Sequence, residues 1–114
     1  MAINSRRKGL TYERNVVAEF RALGWIKACR NIETNPDAVL GVDILHTEPF
    51  MVQCKRYADY APISKIEEIP HVPGTIPVLI TKPDDKPAMV VLSLANFLSL
   101  ISPDSPSPAL PEDF

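Results

Sequence analysis

Apolar residues recur every three to four positions early in the chain and later switch to a two-residue rhythm, and that switch divides the sequence into elements. Val16, Val17, Phe20 and Leu23 share one helical face and Gly24 stands where a helix stops, which predicts a helix over 11–23. Residues 25–32 read as a first strand, with Trp25 packing near the helix end, and Glu33-Thr34-Asn35-Pro36-Asp37 as a turn-rich connection. A hairpin is expected from 41–46 and 50–56 around a three-residue turn, Thr47-Glu48-Pro49. Pro62 suits the first position of a short helix running to about Ile69, which Pro70 ends. Ile76–Thr81 and Ala88–Leu92 are rich in β-branched residues and read as two buried strands flanking the loop 82–87. Ser93 is placed to cap a last helix through Ile101 that buries Leu94, Phe97, Leu98 and Ile101.

The order of elements, αβββαββα, implies an α/β fold in which a mixed sheet carries helices on its faces. One domain over 1–101 is expected from the 114 residues. Beyond it, residues 102–114 contain Pro103, Pro106, Pro108 and Pro111 among Asp104, Glu112 and Asp113, the composition of a disordered or extended tail.

Charge alters this picture because it is unevenly spread. The formal total is -2, yet residues 1–30 hold seven basic groups, Arg6, Arg7, Lys8, Arg14, Arg21, Lys27 and Arg30, against Glu13 and Glu19. A polarised basic segment favours a polyanionic partner. Cys29 and Cys54 form neither a Cys-x-x-Cys pair nor a zinc spacing, and His46 and His71 have no partner at ligand spacing. No apolar run approaches a membrane span and no signal peptide is recognisable, so the expectation is a soluble, cytoplasmic protein.

Candidate chemistry lies in the hairpin. Alternation puts Gln53 and Lys55 on one strand face and Val52 and Cys54 on the other, while pairing about Glu48 sets Asp43 directly across from Gln53. An acid, an amide and a lysine thus converge, although Asp43 and Lys55 could simply pair with each other. Glu13 lies three, four and seven residues before Val16, Val17 and Phe20, so its carboxylate shares the apolar helix face and needs a cation or a set of donors to meet it. An arginine elsewhere in the chain, or the helix dipole, would also serve. Asp37 follows Pro36 but sits sixteen residues before Gln53 in a turn, which makes Asp43 the better candidate acid.

Arg7-Lys8-Gly9-Leu10-Thr11-Tyr12-Glu13-Arg14, a helix ending in Leu23-Gly24-Trp25, then Asp43 and the Gln53-Cys54-Lys55 strand resemble the PD-(D/E)xK nuclease superfamily. Within that superfamily the likeness is greatest to archaeal and phage Holliday-junction resolvases, and it covers about residues 5–69. The resemblance implies a restriction-endonuclease-like sheet and an Mg²⁺-dependent endonuclease, with Mn²⁺ expected to substitute. Glu13, Asp43 and Gln53 would help bind the metal, with the main-chain carbonyl of Cys54 as a further ligand and Lys55 as the catalytic lysine. Gln53 departs from the usual acid, and a neutral ligand holds a hard cation less strongly. Val52-Gln53-Cys54-Lys55-Arg56-Tyr57 also resembles the Gln-x-Lys-Arg-Tyr strand of methylation-dependent restriction endonucleases. Phosphate contacts are expected from Ser5, Arg6, Arg7, Lys8, Arg14 and Arg56. A four-way junction needs two matched nicks, so a homodimer is expected. A restriction- or repair-type duplex endonuclease, or a non-catalytic DNA-binding module, are the alternatives.

Overall fold

Residues 2–32 and 41–103 are described by the computed structural model, with side chains from residue 7 onward. Asp37, the tail from 104, and the side chains of Ser5 and Arg6 lie outside the described residues. In chain order the elements are α1 (Ala2–Ala22), β1 (Cys29–Arg30), β2 (Ile44–Leu45), β3 (Phe50–Arg56), a 3₁₀ helix (Ile63–Glu68), β4 (Ile76–Lys82), β5 (Met89–Val91) and α2 (Leu94–Ile101). The class is α/β, built on one five-stranded mixed sheet in the order β1-β2-β3-β4-β5.

The centre of the sheet is the pair β3 and β4, parallel and in register from Phe50↔Ile76 to Arg56↔Lys82. Parallel neighbours cannot be joined by a tight turn, so the chain crosses over through residues 57–75, which carry the 3₁₀ helix. The remaining pairings, β1 with β2, β2 with β3 and β4 with β5, are antiparallel.

Alternation along the central strands makes two faces. Val52, Cys54, Val78 and Ile80 pack with Val16 and Val17 of α1, and with Ala28 and Ile44, into the core cluster. Phe20 and Phe50 each meet Trp25 edge-on, at 5.6 and 6.3 Å between ring centroids, and the indole N–H donates to the Glu48 carbonyl at 2.8 Å. Trp25 therefore ties the end of α1 to the hairpin turn, as its position after Gly24 suggests. On the other face, Gln53, Leu79 and Thr81 are buried, and the Ala61 N–H donates to Thr81 Oγ1 at 2.8 Å.

Several elements differ from the sequence expectation. The first helix begins at Ala2 rather than residue 11, because Arg, Lys, Ala and Leu carry helical propensity even where no apolar stripe marks a face. The first strand shrinks to Cys29–Arg30, since the Ile26 and Ala28 N–H groups are spent on turns to Gly24 and Trp25. The middle helix is 3₁₀ rather than α. Ser93 does cap the last helix, its Oγ accepting the Asn96 N–H at 3.1 Å. The expected burial of that helix does not occur: Leu94, Phe97, Leu98 and Ile101 are 70, 47, 50 and 60% exposed. The edge strand β5, which reads as buried, leaves Met89 and Val90 exposed as well. A three-residue strand at the sheet edge offers no second layer for the helix that follows it.

Candidate nucleic-acid cleavage site at the β2 and β3 fork

β2 and β3 pair in the register Ile44↔Val52, the one the hairpin reading requires, and Asp43 lies one residue before that pair. Beyond Ile44 the two strands part. The Asp43 N–H still donates to the Val52 carbonyl at 2.8 Å, but the Cys54 N–H is met by the Asp43 carboxylate, Oδ2 at 2.7 Å, where a continuing strand would offer a carbonyl. One side chain thus closes the exposed edge of β3 and stands in the fork. Among the described residues, no cation comes within ion-pair distance of it.

Charged groups from three elements gather around Asp43. Glu13, on α1, accepts from Arg30 Nε at 3.2 Å and is raised above the ordinary carboxylate range by burial, then by the charge of Asp43, against the opposing pull of Arg30. Asp43 is itself raised, chiefly by burial, which outweighs the Cys54 N–H and the attraction of Lys55. Lys55 leaves β3 on the side away from the α1 core and pairs with Glu68 at 3.4 Å rather than with Asp43. Beneath these groups the Cys54 thiol is pushed up, first by burial and then by Asp43 and Glu13.

Gln53 is the most confined member of the group. Only 5% of the residue is exposed; its Nε2 donates to the Gly41 carbonyl at 3.4 Å, and its Oε1 is buried without a hydrogen-bond partner. A buried amide oxygen left unpaired costs about 1–3 kcal/mol, so it is a group in want of a donor or a cation. Gly41 holds this corner together, for at φ +85° an added Cβ would collide with the Glu68 carbonyl. Gly41→Ala is therefore expected to lower stability by about 1–3 kcal/mol, visible in urea unfolding as a reduced midpoint at unchanged slope.

Two residues that sequence reasoning passed over belong to this constellation. Glu68, at the end of the 3₁₀ helix, takes both Lys65 at 3.3 Å and Lys55; its carboxyl is lowered, first by the hydrogen bond from Lys65. Arg30, counted only as part of the basic segment, is the guanidinium that meets Glu13.

The expected phosphate contacts do not form one patch. Lys8 and Arg56 converge on Asp84, at 3.0 and 2.8 Å, and together hold its carboxyl below the usual range. Arg56 also donates to the carbonyls of Tyr57 and Lys82, both at 3.1 Å. Arg14 lines a separate cleft of about 380 Å³ with Arg21, Cys29 and Arg30. Arg7 is exposed on α1.

For a metal the donor chemistry is mixed. Among the described residues no group of three His, Cys, Asp or Glu side chains is arranged to hold an ion, and Glu13 and Glu68 are engaged by basic residues. The Asp43 carboxylate and the unpaired Gln53 amide oxygen are nevertheless hard oxygen donors carried by one hairpin, the donor type that suits Mg²⁺ with several retained waters. Among the described residues no helix is long and apolar enough to cross a membrane. Compared with family models, curated proteins and solved structures, the chain matches none.

Proposed function

We propose that this chain is an Mg²⁺-dependent, structure-selective DNA endonuclease with a restriction-endonuclease-like fold, acting on four-way junctions as a Holliday-junction resolvase. The observation that carries the reading is the fork itself: Asp43 is electrostatically coupled to Glu13 and to Lys55, and the partner strand of the same hairpin carries an unpartnered Gln53 Oε1. Asp43 and Gln53 would hold the metal, and Glu13 would join them when Arg30 turns to a phosphate. A bound divalent ion lowers the pKa of water and offsets charge on a phosphodiester under attack. Lys55, released from Glu68, would place its ammonium beside the scissile phosphate, where charge builds during cleavage. Arg7 and Arg14 of α1, and Lys8 once released from Asp84, would each take a backbone phosphate.

Both basic residues nearest the acids are held by carboxylates, Arg30 by Glu13 and Lys55 by Glu68, an arrangement that polyanionic DNA would compete to open. That same pairing, with Gln53 in place of an acid, favours the second reading, a DNA-binding module whose nuclease site is weakened. Synthetic four-way junction, flap and plain duplex substrates, incubated with the chain and Mg²⁺ or Mn²⁺, separate the readings. Paired symmetric nicks confined to the junction are expected. Cutting of plain duplex at equal rate points to a restriction- or repair-type enzyme, and tight binding with no cutting in either metal points to the module.

A further inference from the structure

α1 and the edge strand β1 flank a cleft of about 380 Å³ that takes in none of Asp43, Gln53 or Lys55. Arg14, Val17, Ala18 and Arg21 fall at i, i+3, i+4 and i+7, so a single stripe of the helix supplies one wall. Cys29, Arg30 and Ile32 supply the other. Two of the three guanidiniums are held through Nε: Arg21 donates to the Ala28 carbonyl at 2.8 Å and Arg30 to Glu13 at 3.2 Å. Among the described residues, no acceptor takes the terminal amino groups of either, and Arg14 is exposed with no carboxylate in reach. Glu13 is the one acid in contact with these arginines among the described residues, so the cleft keeps an excess of two positive charges.

We propose that this cleft binds a nucleotide by its terminal phosphate, a phosphate monoester carried either by a free nucleotide or by the end of a DNA strand. A phosphate monoester bears about -1.5 to -2 charges at neutral pH, which matches the excess in the cleft, and its three oxygens accept paired bonds from guanidinium forks. A bridging diester bears a single charge and fills that excess only in part. Buried Val17, small Ala18 and half-exposed Ile32 add an apolar surface that a sugar or base covers. The volume lies near the low end of the roughly 300–1,000 Å³ of small-ligand pockets, room for one nucleotide and not for a duplex. The ligand therefore differs from the backbone phosphate expected at Arg14, and it recruits Arg21 and Arg30 as well.

Calorimetric titration of the full chain in metal-free buffer tests this apart from the nuclease reading, since neither a divalent ion nor cleavage enters the measurement. Thymidine 5′- and 3′-monophosphates, thymidine and inorganic phosphate are the probes. At least one monophosphate is expected to bind and thymidine is not, while inorganic phosphate binds about tenfold more weakly because it leaves the apolar surface uncovered. Arg14→Gln should weaken the nucleotide by about tenfold to a hundredfold, the loss of a charged donor. Ala18→Leu, which narrows the cleft and changes no charge, should weaken it by at least about tenfold. Both positions are exposed on a helix that accepts either new residue, so far-UV spectra and melting profiles stay unchanged. Short thymidine strands with and without a terminal phosphate separate the two sources. Tighter binding of the phosphorylated strand, lost in Ala18→Leu, assigns the cleft to a strand end; a strand that gains nothing from its phosphate while the monophosphate binds assigns it to the free nucleotide. The proposal is overturned if neither monophosphate binds at millimolar concentration, if inorganic phosphate binds as tightly as the nucleotide, or if the affinity is indifferent to both substitutions.

Discussion

Lys55→Ala is expected to slow junction cleavage by about a hundredfold to a thousandfold while leaving the fold and the affinity for DNA nearly unchanged, the magnitude seen when one preorganised stabiliser of transition-state charge is removed. Lys55 is on the central strand β3, partly exposed, beside Thr81 in the parallel register, and among the described residues its ammonium is held by Glu68. An exposed pair of this kind contributes little to stability, so its loss should not unfold the chain. Single-turnover cleavage and a filter-binding isotherm on the same junction give the two readouts. If Lys55→Ala cuts as fast as the native chain, Lys55 has no part in the chemistry. Glu68→Gln adds a second handle, since freeing the ammonium should preserve or raise the cleavage rate, whereas a fall would make Glu68 a participant in its own right.

Asp43→Asn is expected to abolish cleavage and, with it, the stabilisation that divalent ions confer. At a metal concentration a hundred times the dissociation constant, mass action supplies about 2.7 kcal/mol, or roughly 10 °C in the melting temperature of a domain this size. Native protein should show that rise with Mg²⁺ or Mn²⁺, and the variant should not. Without metal the variant should be no less stable, because the amide oxygen can still accept the Cys54 N–H while the disfavoured buried charge is gone. A loss of several kcal/mol would instead identify the carboxylate as an edge cap for β3, and an undiminished metal response would remove it as a ligand.

The pH dependence has a definite sign. Asp43 and Glu13 hold their protons more tightly in the folded chain than in the unfolded one. Each therefore costs stability above its raised value, and that stability returns as pH falls through the raised value toward the ordinary carboxylate value near 4. Asp84 and Glu68 act oppositely, since their lowered carboxyls contribute above the ordinary value and lose that contribution as pH falls through the lowered one. Melting curves taken from neutral to mildly acidic pH should show a gain in the native chain that is smaller in Asp43→Asn.

The hairpin was legible because two-residue alternation in 50–56 fixes both the face and, with the turn at Thr47, the register. The Phe50 N–H closes that turn on the Thr47 carbonyl at 2.9 Å, and Ile44 pairs with Val52 as the pattern requires. The helical stripe from Val16 to Phe20 likewise found its place against β3. Glu68 was not legible. Lys65-Ile66-Glu67-Glu68 reads as a solvated helix end, and only the crossover between parallel strands carries it to Lys55. Nor does sequence spacing reveal that Arg30, seventeen residues after Glu13, returns to it across the α1 and β1 contact. For α2, periodicity specifies the stripe but is silent on whether the covering layer belongs to the same chain.

The parallel pairing of β3 with β4 also bears on when the site can exist during synthesis. Glu13, Asp43, Gln53 and Lys55 all precede residue 56, yet β3 has its long partner only once Ile76–Lys82 has been added, and Glu68 reaches Lys55 on the loop between them. Pairing across 26 positions carries a loop-closure cost that local hairpin contacts do not. A nascent chain that already contains every expected catalytic residue therefore still lacks the frame that aligns them, and on the proposed reading it emerges from synthesis unable to cut the nucleic acid around it.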